Sequence, residues 1–225
     1  MRKSMPDEWI IGYGNMKFII SPTNFKHTGL FPEQATNWDT MSRLIGGRDV
    51  KVLNLFGYTG GATVAGAMAG AHVTHVDASK GMTEVCRRNV DLNKIPSDRV
   101  RYIVDDCAKF VARELRRGKT YDAIIMDPPS FGRGANGEVW KLETCLDNLV
   151  HECCKLLSDT PLFFLINSYT TGLQPTVMQN ILLTNLRKKG KDVKLATVDA
   201  YEVGLPTLED LTLPCGCSSL ATFGK

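Results

Sequence analysis

The sequence predicts an α/β protein: a doubly wound, mostly parallel seven-stranded sheet with one antiparallel strand near the C-terminus, preceded by a short N-terminal β extension. Three observations carry this expectation. From Val50 onward, apolar runs of strand length alternate with helix-length segments, the pattern of a parallel sheet with helices on both faces. Glycines and acids fall where those runs end: Gly57 to Gly61, then Asp77, then Asp105-Asp106, then Asp127-Pro128-Pro129. The last two strands are joined through Gly204 to Gly216. That stretch has no helix long enough for a parallel crossover, which needs about a dozen residues, so one of the two should run antiparallel.

The elements follow in order. Trp9 to Gly12 and Lys17 to Ser21 read as strands joined by a Gly-Asn turn. Thr28-Gly29 favours a turn. Pro32 and Glu33 suit the start of a helix that runs to about Leu44 and stops at Gly46-Gly47. Val52 to Phe56 is a strand, Ala62 to Ala69 a helix of small residues, and His72 to Val76 a strand. A helix fits Lys80 to Asn93, with Ser79 as its cap. Arg99 to Val104 is a strand, Ala108 to Arg117 a helix, and Tyr121 to Met126 a strand followed by a glycine-rich loop, Gly132 to Gly137. Lys141 to Leu157 is a helix, Leu162 to Asn167 a strand, Pro175 to Lys188 a helix, and Val193 to Tyr201 and Ser218 to Phe223 the final strands.

Composition sets outer bounds. A chain of 225 residues implies one domain with room for a small extension. The expected division is a hairpin-and-helix extension over 1–47 and the main domain over 48–225. Hydrophobic content of 43% is ordinary for a globular core. No apolar run approaches the ~18 residues of a membrane helix, and MRKSMPDEW lacks an apolar signal core, so a cytoplasmic location is expected. The seven cysteines are odd in number and lack a secretory signal, which points to free thiols. Cys153-Cys154 and Cys215-Gly216-Cys217 do not have zinc-knuckle spacing, so no metal is expected. The net charge of +3 does not specify a nucleic-acid partner. Two basic clusters, Arg113, Arg116, Arg117 and Lys119, and Arg187, Lys188, Lys189, Lys191 and Lys194, read as solvated helix ends that are also compatible with phosphate contacts.

The chemistry concentrates at the strand ends. In Val50 to Asp77 the order is strand, glycine turn, helix, strand, acid. The glycines permit a sharp turn, and the helix start offers free N–H groups to an anion. Asp77 follows Gly57 by about 20 residues, where a carboxylate can hold ribose hydroxyls. A glycine-rich turn in some other α/β protein is the bland alternative. Asp127-Pro128-Pro129 says more, because a dinucleotide site would not call for it. Two prolines stiffen the backbone and remove two donors, leaving an acceptor-rich turn beside an acid that suits a flat, amine-bearing substrate. Phe131 could stack on such a ring; alternatively it packs in the core of a stiff loop.

Taken together, the glycine loop, Asp77, the third-strand acids and DPPSF resemble the class I S-adenosylmethionine-dependent methyltransferases over residues 50–225. With TGLFPEQ and NLFGYTGG added, the chain resembles the RlmI-like group of ribosomal RNA methyltransferases from about residue 16. The resemblance implies a Rossmann-like fold and roles for particular residues. Asn54, Phe56, Gly57, Tyr58, Thr59 and Gly60 would line the methionine part of the cofactor. Asp77 would bind its ribose. Ala78 and Ser79 would lie beside the adenine, and Asp106 and Cys107 would border it. Asp127 and Pro128 would face the methyl group, with Pro129 and Phe131 completing the catalytic turn. Thr28, Gly29, Phe31 and Gln34 would close the pocket.

Two features depart from that group. The resemblance implies a separate N-terminal RNA-binding domain in larger members, and the residues before the resemblance begins leave no room for one, so none is expected here. The cysteine nucleophile that cytosine carbon-5 methylation requires is missing from Ile166-Asn167-Ser168-Tyr169-Thr170-Thr171. Cys86, Cys145, Cys153 and Cys154 fall within predicted helices, where buried cysteine is common. The expected function is therefore methylation of a base in structured RNA. The alternatives are a methyltransferase for a small molecule or protein, a non-catalytic cofactor- or RNA-binding module, and an NAD-dependent oxidoreductase. The last is disfavoured because the glycine turn does not spell G-x-G-x-x-G.

Overall fold

The computed structural model describes residues 6–22, 28–133, 139–188 and 194–224. Parts of three expected features lie outside them: most of the 132–137 loop, the start of the strand at Val193, and Lys189 and Lys191 of the second basic cluster. The chain opens with a hairpin, β1 (Trp9–Tyr13) and β2 (Met16–Ile20), paired from Trp9↔Ile20 to Tyr13↔Met16. A 3₁₀ turn, Pro32–Gln34, leads into α1 (Ala35–Ile45). The helix ends where Gly46 turns left-handed at φ 57°, the usual role of glycine past a helix end.

The alternating core follows. It comprises β3 (Lys51–Leu55), α2 (Gly61–Met68), β4 (His72–Asp77), α3 (Lys80–Leu92), β5 (Val100–Val104), α4 (Cys107–Arg116) and β6 (Ala123–Met126). A small hairpin, β7 (Phe131–Arg133) with β8 (Val139–Lys141), precedes α5 (Leu142–Leu156), β9 (Phe163–Ser168) and α6 (Pro175–Lys188). A long hairpin of β10 (Leu195–Pro206) and β11 (Thr212–Phe223) ends the chain.

The main sheet has seven strands in the order β10-β11-β9-β6-β3-β4-β5. β11 runs antiparallel to both β10 and β9, while β9, β6, β3, β4 and β5 pair in parallel. Alternation of side chains divides the core in two, as the two-residue strand period requires. Leu53, Leu55, Ile124, Met126, Phe164 and Ile166 pack toward the layer of α4, α5 and α6. Val52, Ala123, Ile125, Phe163 and Leu165 pack toward α1, α2 and α3. Among the described residues, no helix is long and apolar enough to cross a membrane.

Two stretches differ from the expectation. The segment after Phe131 begins and ends as paired strand, because Trp140 anchors β8 by donating from Nε1 to the Pro129 carbonyl at 2.7 Å. The stretch from Gly204 to Gly216, with its prolines and glycines, reads as a connection, yet most of it continues β10 and β11. The irregular residues are accommodated by a register shift at Val203/Gly204, as bulges commonly do.

The N-terminal elements are tied to the sheet by polar side chains. Asn93 accepts from Lys17 N at 2.9 Å and donates to Lys17 O at 2.7 Å, and Asn89 Oδ1 accepts from Ile19 N at 2.8 Å. These amides cover an edge of β2 that would otherwise be open to pairing. Behind α1 lies a buried network. Asn37 Nδ2 donates to Gln34 Oε1 at 2.8 Å, to Ser218 Oγ at 3.0 Å and to Asn167 Oδ1 at 3.1 Å, while its Oδ1 accepts from Tyr201 OH at 2.6 Å. Asn37 is thus the point where α1, β9, β10 and β11 meet. Asn37→Ala leaves several buried groups short of a partner and should lower stability by about 1–3 kcal/mol. Urea unfolding of the two proteins checks this.

Candidate active site

The turn after β3 is unusual. Phe56 and Tyr58 both have left-handed backbones, at φ 57° and 50°. Bulky residues rarely adopt this conformation, and such strain costs on the order of 1–3 kcal/mol per residue unless the surroundings impose it. Here they do. Tyr58 N donates to Asp77 Oδ2 at 2.8 Å, Phe56 N to Cys107 Sγ at 3.3 Å, and Gly57 N to Val76 O at 3.0 Å. Thr59 Oγ1 donates to Gly29 O at 2.6 Å, and Asn89 Nδ2 donates to Thr59 O at 2.9 Å. Gly57 lies so close to His75 that a Cβ there would overlap the imidazole, so the turn has room only for glycine.

The turn separates two cavities that share Phe31, Phe56, Tyr58 and Asp127. The outer groove, about 1190 Å³ with its open mouth, is walled by Asp77, Ala78, Ser79, Asp106 and Ala108 on one side. Pro128, Pro129, Gly132, Trp140 and Tyr169 complete its lining. The inner cavity, about 490 Å³ counted with the open space at its mouth, runs beneath α1 and is lined by Gln34, Asn37, Asn54, Gly57, Thr59 and Asn167 among others. Aromatic rings stand around the junction. Phe31 lies 5.5 Å from Tyr58 and 5.6 Å from Tyr169, and Phe56 lies 5.3 Å from Trp140, centroid to centroid.

Three carboxylates line this space; Asp106 is engaged as the cap of α4, and Asp77 and Asp127 are the two with free acceptor capacity beside the turn. Asp77 accepts from Tyr58 N through Oδ2 and from Ser79 N through Oδ1, both at 2.8 Å. Each oxygen keeps acceptor capacity for a further donor. Burial raises its pKa, and the two backbone bonds oppose that rise. Asp127 is anchored through its backbone N to Leu55 O at 3.3 Å. Its Oδ1 is buried without a hydrogen-bond partner. Burial, with a smaller contribution from the Glu33 charge, pushes its pKa up to about 7.

The structure distributes the sequence-predicted residues as follows. Asn54, Gly57, Thr59 and Gln34 line the inner cavity. Asp77, Ala78, Ser79, Asp106, Pro128 and Pro129 line the outer groove. Phe31, Phe56, Tyr58 and Asp127 line both. Ser79 and Asp106 also cap α3 and α4, accepting from Met82 N and Lys109 N. Thr28, Gly29, Gly60, Cys107 and Phe131 line neither cavity. Thr28 and Gly29 tie their segment to its neighbours instead, the first through its carbonyl to Ser21 N at 3.1 Å and the second through its carbonyl to Thr59 Oγ1 at 2.6 Å. Cys107 is buried beneath the turn, its thiol pushed well above the usual range by burial. Phe131 is 53% exposed on β7, so it does not belong to the core. The Pro129 carbonyl, one of the acceptors expected to face a substrate, is occupied by Trp140.

Sequence reasoning misses Trp140, Tyr169, Asn167 and Asn37. Asn167 and Tyr169 carry a signal, because they lie at the carboxyl end of a sheet strand like the residues it finds. Tyr169 OH accepts from Gln34 Nε2 at 2.6 Å. Trp140 carries none, since its place depends on the β7–β8 hairpin. No cysteine lines either cavity. Among the described residues, no group of three or more His, Cys, Asp or Glu could hold a metal.

A parallel sheet with an antiparallel strand inserted beside its last strand, a strained glycine turn, an acid ending the second core strand and Asp-Pro-Pro after the fourth together define a class I methyltransferase. The model of the S-adenosylmethionine-dependent methyltransferase family matches residues 4–166, and the chain belongs to that family. It is 34% identical over 127 residues to ribosomal RNA large subunit methyltransferase I of Cronobacter sakazakii, covering 56% of this chain and 32% of that protein. It is 28% identical over 186 residues to ribosomal RNA large subunit methyltransferase K of Neisseria meningitidis serogroup B, covering 81% and 52%. The chain thus spans between about a third and a half of the length of these curated relatives. The crystal structure of the SAM-dependent methyltransferase from Agrobacterium tumefaciens superposes with a TM-score of 0.89 at 33% identity, over 98% of this chain and 72% of that one. Family membership removes the oxidoreductase alternative.

Two expectations follow. Asp77→Ala removes an acceptor from the groove and the clamp on Tyr58 N together. Affinity for S-adenosylhomocysteine should fall by roughly 1.5–3 kcal/mol, the range for hydrogen bonds to a charged group, as calorimetry would read. Asp127 has a folded-state pKa of about 7 against an ordinary 3.8. The folded protein therefore holds a proton that the unfolded chain has lost. The stability linked to that proton is fully present below pH 3.8 and is lost as pH rises through 7. Asp127→Asn removes this dependence. The variant should melt at least ~3 °C above the wild type at pH 8, with the gap closing toward pH 4, as calorimetric melts would show.

Proposed function

We propose that this protein transfers a methyl group from S-adenosylmethionine to a base of structured, ribosomal RNA in the cytoplasm. In this reading residues 1–47 form a cover over a catalytic domain of residues 48–225. The observation that carries it is the unpartnered Asp127 oxygen at the junction of the two cavities, beside a proline-stiffened turn and a ring of aromatics. The names of the curated relatives support ribosomal RNA as the substrate class.

The residues present fit the cofactor. Asp77 retains acceptor capacity for ribose hydroxyls, and the groove beside it shares Phe31, Phe56, Tyr58 and Asp127 with the inner cavity. Ala78, Ser79 and Asp106 would border the adenine. Asn54, Phe56, Gly57, Tyr58 and Thr59 would surround the methionine part. Phe31 and Gln34 would close over it, with Gly29 holding Thr59 from behind. Bound there, S-adenosylmethionine supplies an electrophilic methyl group.

The chain's own residues then position the acceptor. Tyr58, Phe31, Tyr169 and Trp140 offer ring faces for a base, which stacks on aromatics irrespective of sequence. A base in a duplex must first leave the stack to enter, and the exposed Phe131 is next in sequence to Gly132, which lines the groove. Asp127 accepts a hydrogen bond from the ring N–H or amino group and orients its lone pair. A carboxylate with a pKa near the working pH can also take the proton. Pro128 and Pro129 keep the turn rigid, which matters because alignment of the reacting atoms at about 3–3.5 Å supplies much of the rate. With no cysteine in either cavity, a cytosine carbon-5 mechanism is disfavoured, and Asp127 suits a nitrogen acceptor.

The test is Asp127→Asn with ribosomal RNA as substrate. Single-turnover methyl transfer should fall about 10²–10⁴-fold, while cofactor affinity stays within about threefold, the mark of an interaction realised in the transition state. Mass spectrometry of ribosomal RNA with and without the gene identifies the product. Unchanged modification in the knockout would turn the reading toward a small-molecule or protein substrate.

A further inference from the structure

Beneath the glycine turn lies a buried polar chain that touches neither reacting group. Asn54, on β3, lines the inner cavity and donates from Nδ2 to Thr63 Oγ1 at 2.9 Å. Thr63 Oγ1 lies 2.9 Å from His75 Nδ1, and Cys86 Sγ lies 3.5 Å from the same nitrogen. Thr63, His75 and Cys86 have no exposed surface, and His75 Nε2 has no partner. A buried ring nitrogen without a partner is destabilising, and an apolar residue would fill the space without that cost. The histidine therefore contributes something other than packing.

The direction of these bonds can be worked out. The Cys86 thiol keeps its proton, since burial pushes its pKa up to about 12, and the Thr63 hydroxyl always carries one. Asn54 Nδ2 donates to Thr63 Oγ1, so the hydroxyl's own proton is left for the groups on its other side, and His75 Nδ1 at 2.9 Å can take it when the ring is neutral and protonated at Nε2. Burial agrees, lowering the histidine pKa to about 4. With its proton turned away from Asn54, Thr63 accepts from that amide. The amide must then present its NH₂ to Thr63. Its carbonyl oxygen, on the opposite edge of the planar group, is left for the cavity.

We propose that Thr63 and His75 are positioning residues that lock the Asn54 amide with its carbonyl oxygen toward the inner cavity, making that wall an acceptor for the ammonium group of an amino-acid moiety. The inference rests on the cofactor reading above, because S-adenosylmethionine carries such a group at the end remote from its adenine. An amide free to flip would have to be ordered when that cation binds, a cost the locked amide avoids.

Calorimetry with two probes tests this: S-adenosylhomocysteine, which has the amino-acid end, and 5′-methylthioadenosine, which lacks it. Thr63→Val and His75→Leu should each weaken S-adenosylhomocysteine about tenfold, a change typical of losing a charge-assisted hydrogen bond. Both variants should leave 5′-methylthioadenosine within about twofold, a difference too small to report a lost contact. Thr63→Ser keeps the hydroxyl, and His75→Asn keeps an acceptor at the place of Nδ1, so both should retain wild-type affinity for the two probes. Equal losses for both probes, or no loss for either, would overturn the proposal while leaving the cofactor reading intact. A wild-type protein that binds neither probe would overturn the cofactor reading and this proposal with it.

Discussion

The hydrogen bond from Tyr58 N to Asp77 Oδ2 is the interaction on which the site depends. It joins the end of one central strand to the turn leaving its neighbour. That turn contains two left-handed aromatic residues, a conformation that local sequence would not choose. The same carboxylate also accepts from Ser79 N, so it starts α3 as well as holding the turn. Cofactor wall, strained loop and helix start are therefore one mechanical unit. A change at Asp77 is felt in all three, which is why such a residue cannot be described as only a ligand or only a structural anchor.

The fold is legible in the sequence wherever period and punctuation agree. Val52 to Phe56 and Tyr121 to Met126 are mostly apolar runs, each interrupted by one polar residue and bounded by glycine, aspartate and proline, and they become the buried central strands β3 and β6. The expectation of an antiparallel strand rests on a missing crossover helix, a topological argument independent of propensity, and β11 is that strand. The extent of β10 and β11 is not legible, because Gly204, Pro206, Pro214 and Gly216 are breakers by local rules. They are tolerated here by a register shift and by pairing across the hairpin. Local rules cannot see a partner strand.

The site divides along the same line. Asp77, Asp106 and Asp127 can be found from sequence because a strand's carboxyl end is a definite place in a parallel sheet. Asn37 and Trp140 are invisible, since each acquires its position through contacts far away in sequence, with Ser218 and Tyr201 for the first and with Phe56 for the second. Cys107 shows the converse. Its location beside Asp106 is right for the rim of the groove, yet its thiol points beneath the turn and holds Phe56 N. Sequence gives an address on the strand, whereas the direction of the side chain is decided by packing.

The place of β11 in the sheet has a bearing on how the molecule is assembled. It is the last strand in chain order, yet it stands between β10 and β9. During vectorial synthesis the sheet can reach β9 and stop, because the strand that continues it has not been made. Ser218, which closes the network around Asn37, arrives with that strand. The wall behind the inner cavity therefore remains incomplete until the C-terminal hairpin docks, and contacts of such long sequence separation are slow to form. A nascent chain halted before β11 would carry the glycine turn and Asp127 but an unfinished cavity, so the order of synthesis itself delays a competent site until the hairpin is in place.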